Sequence, residues 1–235
     1  MTADVLVVGA GPTGLTLALQ AHDHGARVRV LDRRPEPFRP SRAMIVHPRT
    51  LEVLHPLGVT EALLARADPA PRVRLRLGPR VVRLRLGELD LADVRFPHLC
   101  LLRQTDLETV LARALRERGI EVEWGTELVD LEEAAAEVRA RLRSRAGLEE
   151  VGCGFVAGCD GPTSRVRACA GVGWRGGPYS EEIVLADAEL AGLEPGITHA
   201  VVGRRGLLLA FPQGERATWR LLLTRAAGPD RLPFG

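Results

Sequence analysis

The sequence predicts an α/β protein that opens with a doubly wound parallel sheet and ends in antiparallel sheet. Three observations lead there. Val5-Leu6-Val7-Val8 is a β-branched run that stops at glycine, and Leu15 to Ala21 then carries apolar residues at helical spacing up to Gly25. Arg27 to Leu31 alternates up to Asp32, so residues 4–32 form a β-α-β unit with parallel strands. Residues 183–190, 197–203, 206–211 and 217–224 read as four strands joined by turns.

Between these ends each element has its own signal. Arg33 to Arg49 holds four prolines and fits neither period, which predicts a long loop. Thr50–Leu57 and Thr60–Ala67 read as short helices split at Gly58. Val73, Leu75 and Leu77 alternate with arginines, as do Val82, Leu84 and Leu86, across a Gly78-Pro79 turn, giving an amphipathic hairpin. Leu99–Leu102 is a buried-strand candidate. It leads to Thr105, a helix cap, and to Leu107, Val110, Leu111, Ala114 and Leu115 on one helical face ending at Gly119. Strands are expected at 120–124, 127–132, 137–144 and 148–157, then a short helix from Thr163 to Ala170.

Composition removes many functions. The 235 residues are 46% hydrophobic and 26% charged, which is ordinary globular material rather than a disordered chain. All 32 basic residues are arginine. Without lysine there is no Schiff base, no lysine general base and no Walker-type phosphate lysine. A net charge of +2 gives no whole-molecule pull toward nucleic acid or anionic membrane. The arginine rows at 72–85 have no interleaved aromatics and are followed by Glu88, Asp90 and Asp93, so they read as a solvated face, not a nucleic-acid site.

No segment approaches the ~20 apolar residues that cross a bilayer. Cys100, Cys153, Cys159 and Cys169 form no C-x-x-C pair, and Met1-Thr2-Ala3-Asp4 lacks the basic opening of a secretory signal. These features predict free thiols and a cytoplasmic protein. His22 and His24 sit two apart and face different sides of a helix end, so no metal site is expected.

Gly9-Ala10-Gly11-Pro12-Thr13-Gly14 follows a strand and opens a helix, which is the setting the G-x-G-x-x-G fingerprint requires. Gly9 permits the sharp turn, Gly11 lets backbone approach a pyrophosphate, and Gly14 lets helix pack on strand. The helix N-terminus offers unpaired N–H groups to phosphate. Asp32 is placed to bind ribose hydroxyls. Arg33 and Arg34 could meet the extra phosphate of NADP, yet Asp32 repels that phosphate, so FAD or NAD fits better.

Three further stretches carry a resemblance. Asp32-Arg33-Arg34 with Ser41-Arg42-Ala43 through His47-Pro48-Arg49-Thr50-Leu51-Glu52 is one; Arg103-Gln104-Thr105-Asp106-Leu107-Glu108 is the second. The third and most specific is Gly158-Cys159-Asp160-Gly161-Pro162-Thr163-Ser164-Arg165-Val166-Arg167. Together they resemble the FAD-dependent aromatic hydroxylases of the para-hydroxybenzoate hydroxylase type, class A flavoprotein monooxygenases.

The resemblance implies a Rossmann-like FAD-binding domain over 1–176, with the hairpin at about 72–95 inserted, and the start of a substrate-binding β-sheet domain over 177–235. It implies cofactor contacts from Arg42, Arg103, Gln104, Asp160, Gly161 and Arg165, beside Gly9, Gly11, Pro12, Thr13, Gly14, Asp32 and Arg33. It also implies that NADPH, or NADH, reduces FAD and that O2 adds to give a C4a-hydroperoxyflavin, whose distal oxygen passes to an aromatic or polyketide-like ring. No side chain is singled out as catalytic. The later Gly-Asp motif of the family is missing, so a truncated form is expected. A complementing C-terminal segment or a second copy would be its partner, and a non-catalytic FAD- or nucleotide-binding subunit is the alternative. A dehydrogenase linked to NAD is a third reading, resting on the fingerprint and Asp32 alone.

Overall fold

The structure, a computed structural model, describes residues 3–36, 44–68, 71–86, 94–97, 99–177, 182–203, 206–213 and 218–225. The chain divides into two units. The first comprises residues 1–44, 50–66 and 102–175, and the second 45–49, 67–101 and 176–235.

The first unit is a six-stranded sheet. Its strands are β1 (Ala3–Val8), β2 (Val28–Asp32), β7 (Val122–Trp124), β8 (Glu127–Glu133), β9 (Val138–Ser144) and β10 (Gly147–Gly158). Their order is β7-β2-β1-β10-β9-β8. The first four in that order are parallel, while β9 and β8 return antiparallel. The predicted β-α-β unit is therefore present, with helix α1 (Pro12–Asp23) as its crossover.

Pro12 stands in the first turn of α1, where its missing N–H costs nothing. Leu15, Ala18 and Leu19 of α1 are buried, as are Leu107, Val110, Leu111, Ala114 and Leu115 of α4 (Gln104–Glu117), the face its spacing predicted. Ala3, Leu6, Val8, Leu31, Leu128, Ala140, Leu142, Val151 and Cys153 pack together as a buried cluster. Helices α2 (Pro48–Leu54) and α3 (Thr60–Leu64) are shorter than the sequence pattern suggests. A tight helical turn at His55–Leu57 intervenes, closed by Gly58 at φ 72°. Helix α5 (Arg165–Cys169) follows β10.

Strands β3 (Ile45–Val46), β4 (Arg72–Leu77), β5 (Arg80–Arg85), β6 (Cys100–Leu101), β11 (Glu182–Glu189), β12 (Ile197–Gly203), β13 (Gly206–Pro212) and β14 (Thr218–Arg225) belong to the second unit. Six of them make a sheet ordered β11-β14-β13-β12-β4-β5, and β3 pairs with β6. The antiparallel meander from β12 to β14 was expected from sequence. The placement of the hairpin was not. Read as an insertion within 1–176, it is joined by hydrogen bonds to strands that follow residue 176, β4 running parallel to β12 from Arg72 opposite Ile197 to Leu77 opposite Val202. Alternation shows that a strand has a wet and a dry face, but it carries no information on which distant strand closes its edge.

Two other local expectations change. Thr105 was read as the cap of α4, but the helix starts at Gln104 and Arg103 takes the extended cap conformation. The Thr105 carbonyl accepts instead from the Thr109 hydroxyl at 2.6 Å. Ile45–Val46, inside the predicted loop, pairs with Cys100–Leu101, an assignment two residues are too short to announce. Among the described residues no helix is long and apolar enough to cross a membrane.

Candidate functional site: a nucleotide pocket in the first unit

The pocket lies where the parallel strands end. Val8, Gly9, Gly11, Leu31, Asp32, Arg33, Arg34, Gln104, Glu108, Thr126, Glu127, Leu128, Cys159, Asp160, Gly161, Thr163 and Arg165 line it. β1, β2 and β10 deliver their C-terminal ends to one place, which is where open parallel sheets bind ligands.

The glycine turn is built by contact distances. A side chain on Gly14 would lie 1.9 Å from the Gly9 carbonyl oxygen. One on Gly9, where φ is 106°, would meet the Cys159 carbonyl oxygen at 2.3 Å. Gly11 differs, because a Cβ added there meets nothing within 4 Å. Its backbone therefore faces open space at the N-terminus of α1, the cradle a pyrophosphate requires.

Asp32 is buried, and both of its oxygens are engaged. Oδ2 accepts from the Ala10 N–H at 2.8 Å and from Arg34 Nη2 at 2.8 Å; Oδ1 accepts from the Arg34 N–H at 2.8 Å and Nε at 2.9 Å. Burial pushes the Asp32 carboxyl up. The Arg34 guanidinium and the two backbone N–H groups outweigh that and hold it below the usual carboxylate range. The acid is thus kept ionised, with two hydrogen bonds accepted at each oxygen.

Arg34 is the hub that sequence reading passed over in favour of its neighbour. Besides Asp32, its Nη2 donates to the Ala10 carbonyl at 3.1 Å, and its Nη1 lies 3.7 Å from Glu108 Oε2. Its guanidinium stands over the Trp124 ring at 5.4 Å. Glu108 also accepts from Gln104 Nε2 at 2.7 Å. The signal for Arg34 was its place two residues past the acid, close enough to fold back on it. The signal for Glu108 was a carboxylate on the helix's otherwise apolar face.

Of the residues predicted to touch cofactor, Gly9, Gly11, Asp32, Arg33, Gln104, Asp160, Gly161 and Arg165 line the pocket. Pro12, Thr13 and Gly14 are not among the lining residues; they form the first turn of α1, where Thr13 is exposed and Gly14 is buried. Arg103 is not a lining residue; its Nε donates to Asp106 at 2.7 Å. Arg42 lies outside the described residues. Asp160 organises its own turn, accepting from Ser164 Oγ at 2.6 Å, the Arg165 N–H at 2.5 Å and the Val166 N–H at 3.2 Å, while Gly161 takes φ 83°. Its side chain thus holds the loop in shape. Arg165 donates from Nε at 2.9 Å and Nη2 at 2.5 Å to the Val129 carbonyl, tying α5 to β8 rather than extending a free guanidinium. Among the described residues no three His, Cys, Asp or Glu side chains converge on a metal position.

A glycine turn at a helix N-terminus, with an ionised acid at the end of the next parallel strand, defines a dinucleotide-binding protein. The chain belongs to the FAD binding domain family, whose pattern matches residues 2–200. The 6-methylpretetramide 4-monooxygenase of Streptomyces rimosus is 36% identical over 235 residues, covering 97% of this chain and 41% of that protein. Aklavinone-11 hydroxylase, solved as a ternary complex with FAD and aklavinone, superposes with a TM-score of 0.82 at 29% identity, over 98% of this chain and 47% of that one. The anhydrotetracycline hydroxylase of Streptomyces rimosus gives 0.77 at 32%, over 98% and 46%. The resemblance to aromatic hydroxylases is borne out, and the chain spans less than half the length of these relatives.

Proposed function

We propose that this chain is the cofactor-binding and substrate-sheet part of an FAD-dependent monooxygenase that hydroxylates an aromatic or polyketide-like ring, with NADPH or NADH as electron donor and O2 as co-substrate. The observation that carries it is the pocket itself, lined by both the open backbone of Gly11 and the ionised Asp32 carboxylate. Bound FAD would supply the redox and oxygen chemistry. The N-terminus of α1 would hold the pyrophosphate, Asp32 would accept from ribose hydroxyls, and Gln104 would add a polar contact at the pocket wall.

The substrate side would come from one face of the second sheet. Its register sets Leu185, Leu222 and Leu209 side by side, with Asp187, Arg220 and Phe211 in the next row. A flat ring fits such an apolar surface, which also keeps water from the reacting centre. The Arg220 guanidinium, joined to Asp187 at 2.8 and 3.0 Å, provides a fixed polar mark on that face.

The test is the visible absorption spectrum of the purified chain with FAD, repeated after NADPH with a panel of phenols. Retained flavin bands that bleach faster with a phenol present are expected. Failure to bind FAD overturns the reading. FAD binding with no phenol-dependent oxidation overturns its catalytic part and leaves a FAD-binding subunit.

A further inference from the structure

One row of the second sheet sets charge beside an apolar surface. Along β11 the side chains of Ile183, Leu185 and Asp187 share a face, because successive residues of a strand alternate. The register puts Leu222 and Leu209 beside Leu185, and Arg220 and Phe211 beside Asp187. The Arg220 side chain is 8% exposed and that of Asp187 46% exposed. The pair is therefore buried on its arginine side and open on its carboxylate side.

An ionised carboxylate accepts at about four lone-pair sites. Oδ1 of Asp187 takes Arg220 Nε at 2.8 Å and Gln213 Nε2 at 3.1 Å, and Oδ2 takes Arg220 Nη2 at 3.0 Å. Among the described residues that leaves one site on Oδ2 for solvent or ligand, on an oxygen whose position the guanidinium fork fixes. The same guanidinium holds the Asp187 carboxyl below the usual carboxylate range, so near neutral pH the group accepts and does not donate. It also balances the carboxylate's charge. An ammonium gains little from such a neutral pair, and an uncharged donor, a hydroxyl, is the group that fits.

Same-face residues on a strand stand about 7 Å apart. That is close to the reach from a ring's centre, through its hydroxyl oxygen and one hydrogen bond, to an acceptor. A flat ring lying on Leu185, Leu222 and Leu209 can thus direct a hydroxyl on its edge at Asp187 Oδ2, with Phe211 bordering the same row. We propose that Asp187 reads the substrate on this sheet: its open acceptor site takes a hydrogen bond from a ring hydroxyl, so the chain binds hydroxyarenes in preference to their methyl ethers. This deepens the monooxygenase reading by naming a substrate class, and it rests on that reading's choice of this face for the substrate.

The test is equilibrium dialysis of 2-naphthol and 2-methoxynaphthalene against the chain, with and without FAD. The parent is expected to prefer 2-naphthol about tenfold, the lower end for a hydrogen bond to a charged acceptor because Asp187 is half open to water. In Asp187→Asn the preference should fall below about threefold. The bulk of the methyl group is the same for both proteins, so the change in ratio reads the hydrogen bond alone, and a ratio of two ligands on one sample is unaffected by its folded fraction. Asp187→Asn takes the partner from a buried arginine; Asp187→Asn/Arg220→Gln removes both charges together and should show the same lost preference. Equal affinities in the parent, failure of either naphthalene to bind, or a preference that survives both variants overturns the proposal. Any of these beside retained FAD leaves the cofactor reading standing, whereas lost FAD binding beside an intact naphthol preference overturns that reading and not the role of Asp187.

Discussion

Arg34→Gln is the sharpest perturbation available in the nucleotide pocket. The Arg34 and Asp32 side chains are only 16% and 9% exposed, and the substitution removes the guanidinium donors at 2.9 and 2.8 Å together with the attraction to Glu108. Removing one partner of a buried pair costs about 3–5 kcal/mol, and water entering from the pocket mouth relieves part of it, so we take ~2–3 kcal/mol. For a chain of this size that lowers the melting temperature by roughly 4–12 °C.

Binding should show a second effect, because a carboxylate without its clamp no longer meets ribose hydroxyls in one fixed geometry. Hydrogen bonds to a charged acceptor are worth about 1.5–3 kcal/mol, so the parent should prefer ADP over its 2′,3′-dideoxy analogue by about 10- to 150-fold. In Arg34→Gln the preference should shrink below about 5-fold. Titration by competition with FAD fluorescence reads both ligands on both proteins. An unchanged preference beside a fallen melting temperature would mean that Arg34 braces the fold alone, and the positioning argument would be wrong.

Three further outcomes are expected. Gly11→Ala should keep the parent's stability within about 0.5 kcal/mol yet lose FAD affinity, whereas Gly14→Ala, whose methyl would enter the Gly9 carbonyl, should lose both; equal behaviour in thermal melts and FAD titration would refute the contrast. Asp23, Asp32 and Asp187 are held below the usual carboxylate range by their arginine partners, against the push of burial, and Asp4 is lowered to about 2 by Arg27. Because these carboxyls are harder to protonate folded than unfolded, their stabilisation is whole above about pH 5 and is lost as pH falls through their folded values; a melting temperature that rises on acidification contradicts this. Burial pushes the Cys100 thiol up to about 11, helped by Asp68, so native protein at pH 8 should resist alkylation at Cys100 in peptide mapping and react there only once unfolded.

Local chemistry made much of this legible. The run Val5–Val8, the glycines and Asp32 lie within a few turns of one another, so strand, turn, helix and acid were readable as one unit. The amphipathic face of Leu107, Val110, Leu111, Ala114 and Leu115 was readable for the same reason, since helical spacing reports burial directly. Two things were hidden. One was pairing across long sequence distance, such as β4 beside β12, because alternation is the same whichever neighbour a strand finds. The other was where arginine donors are spent: Arg34 on Asp32, Arg165 on the Val129 carbonyl, and Arg103 on Asp106. A sequence shows that an arginine is present, while the fold decides whether its donors are already spent.

The position of β1 in the middle of its sheet has a consequence for the order of assembly. Its partner on one side, β2, follows within a short stretch of chain. Its partner on the other side is β10, where Ala3 lies opposite Cys153 and Val8 opposite Gly158. The Cys159 carbonyl packs against Gly9, so the glycine turn is completed only after the chain through residue 159 has been made. During translation β1 waits with one edge unpaired while the intervening segments, including the hairpin that belongs to the other unit, are made. Non-local parallel pairing of this kind is slow and leaves apolar edge exposed meanwhile. A dinucleotide arriving at that moment would bind the segments before and after the gap together, acting as a clasp on the nascent fold.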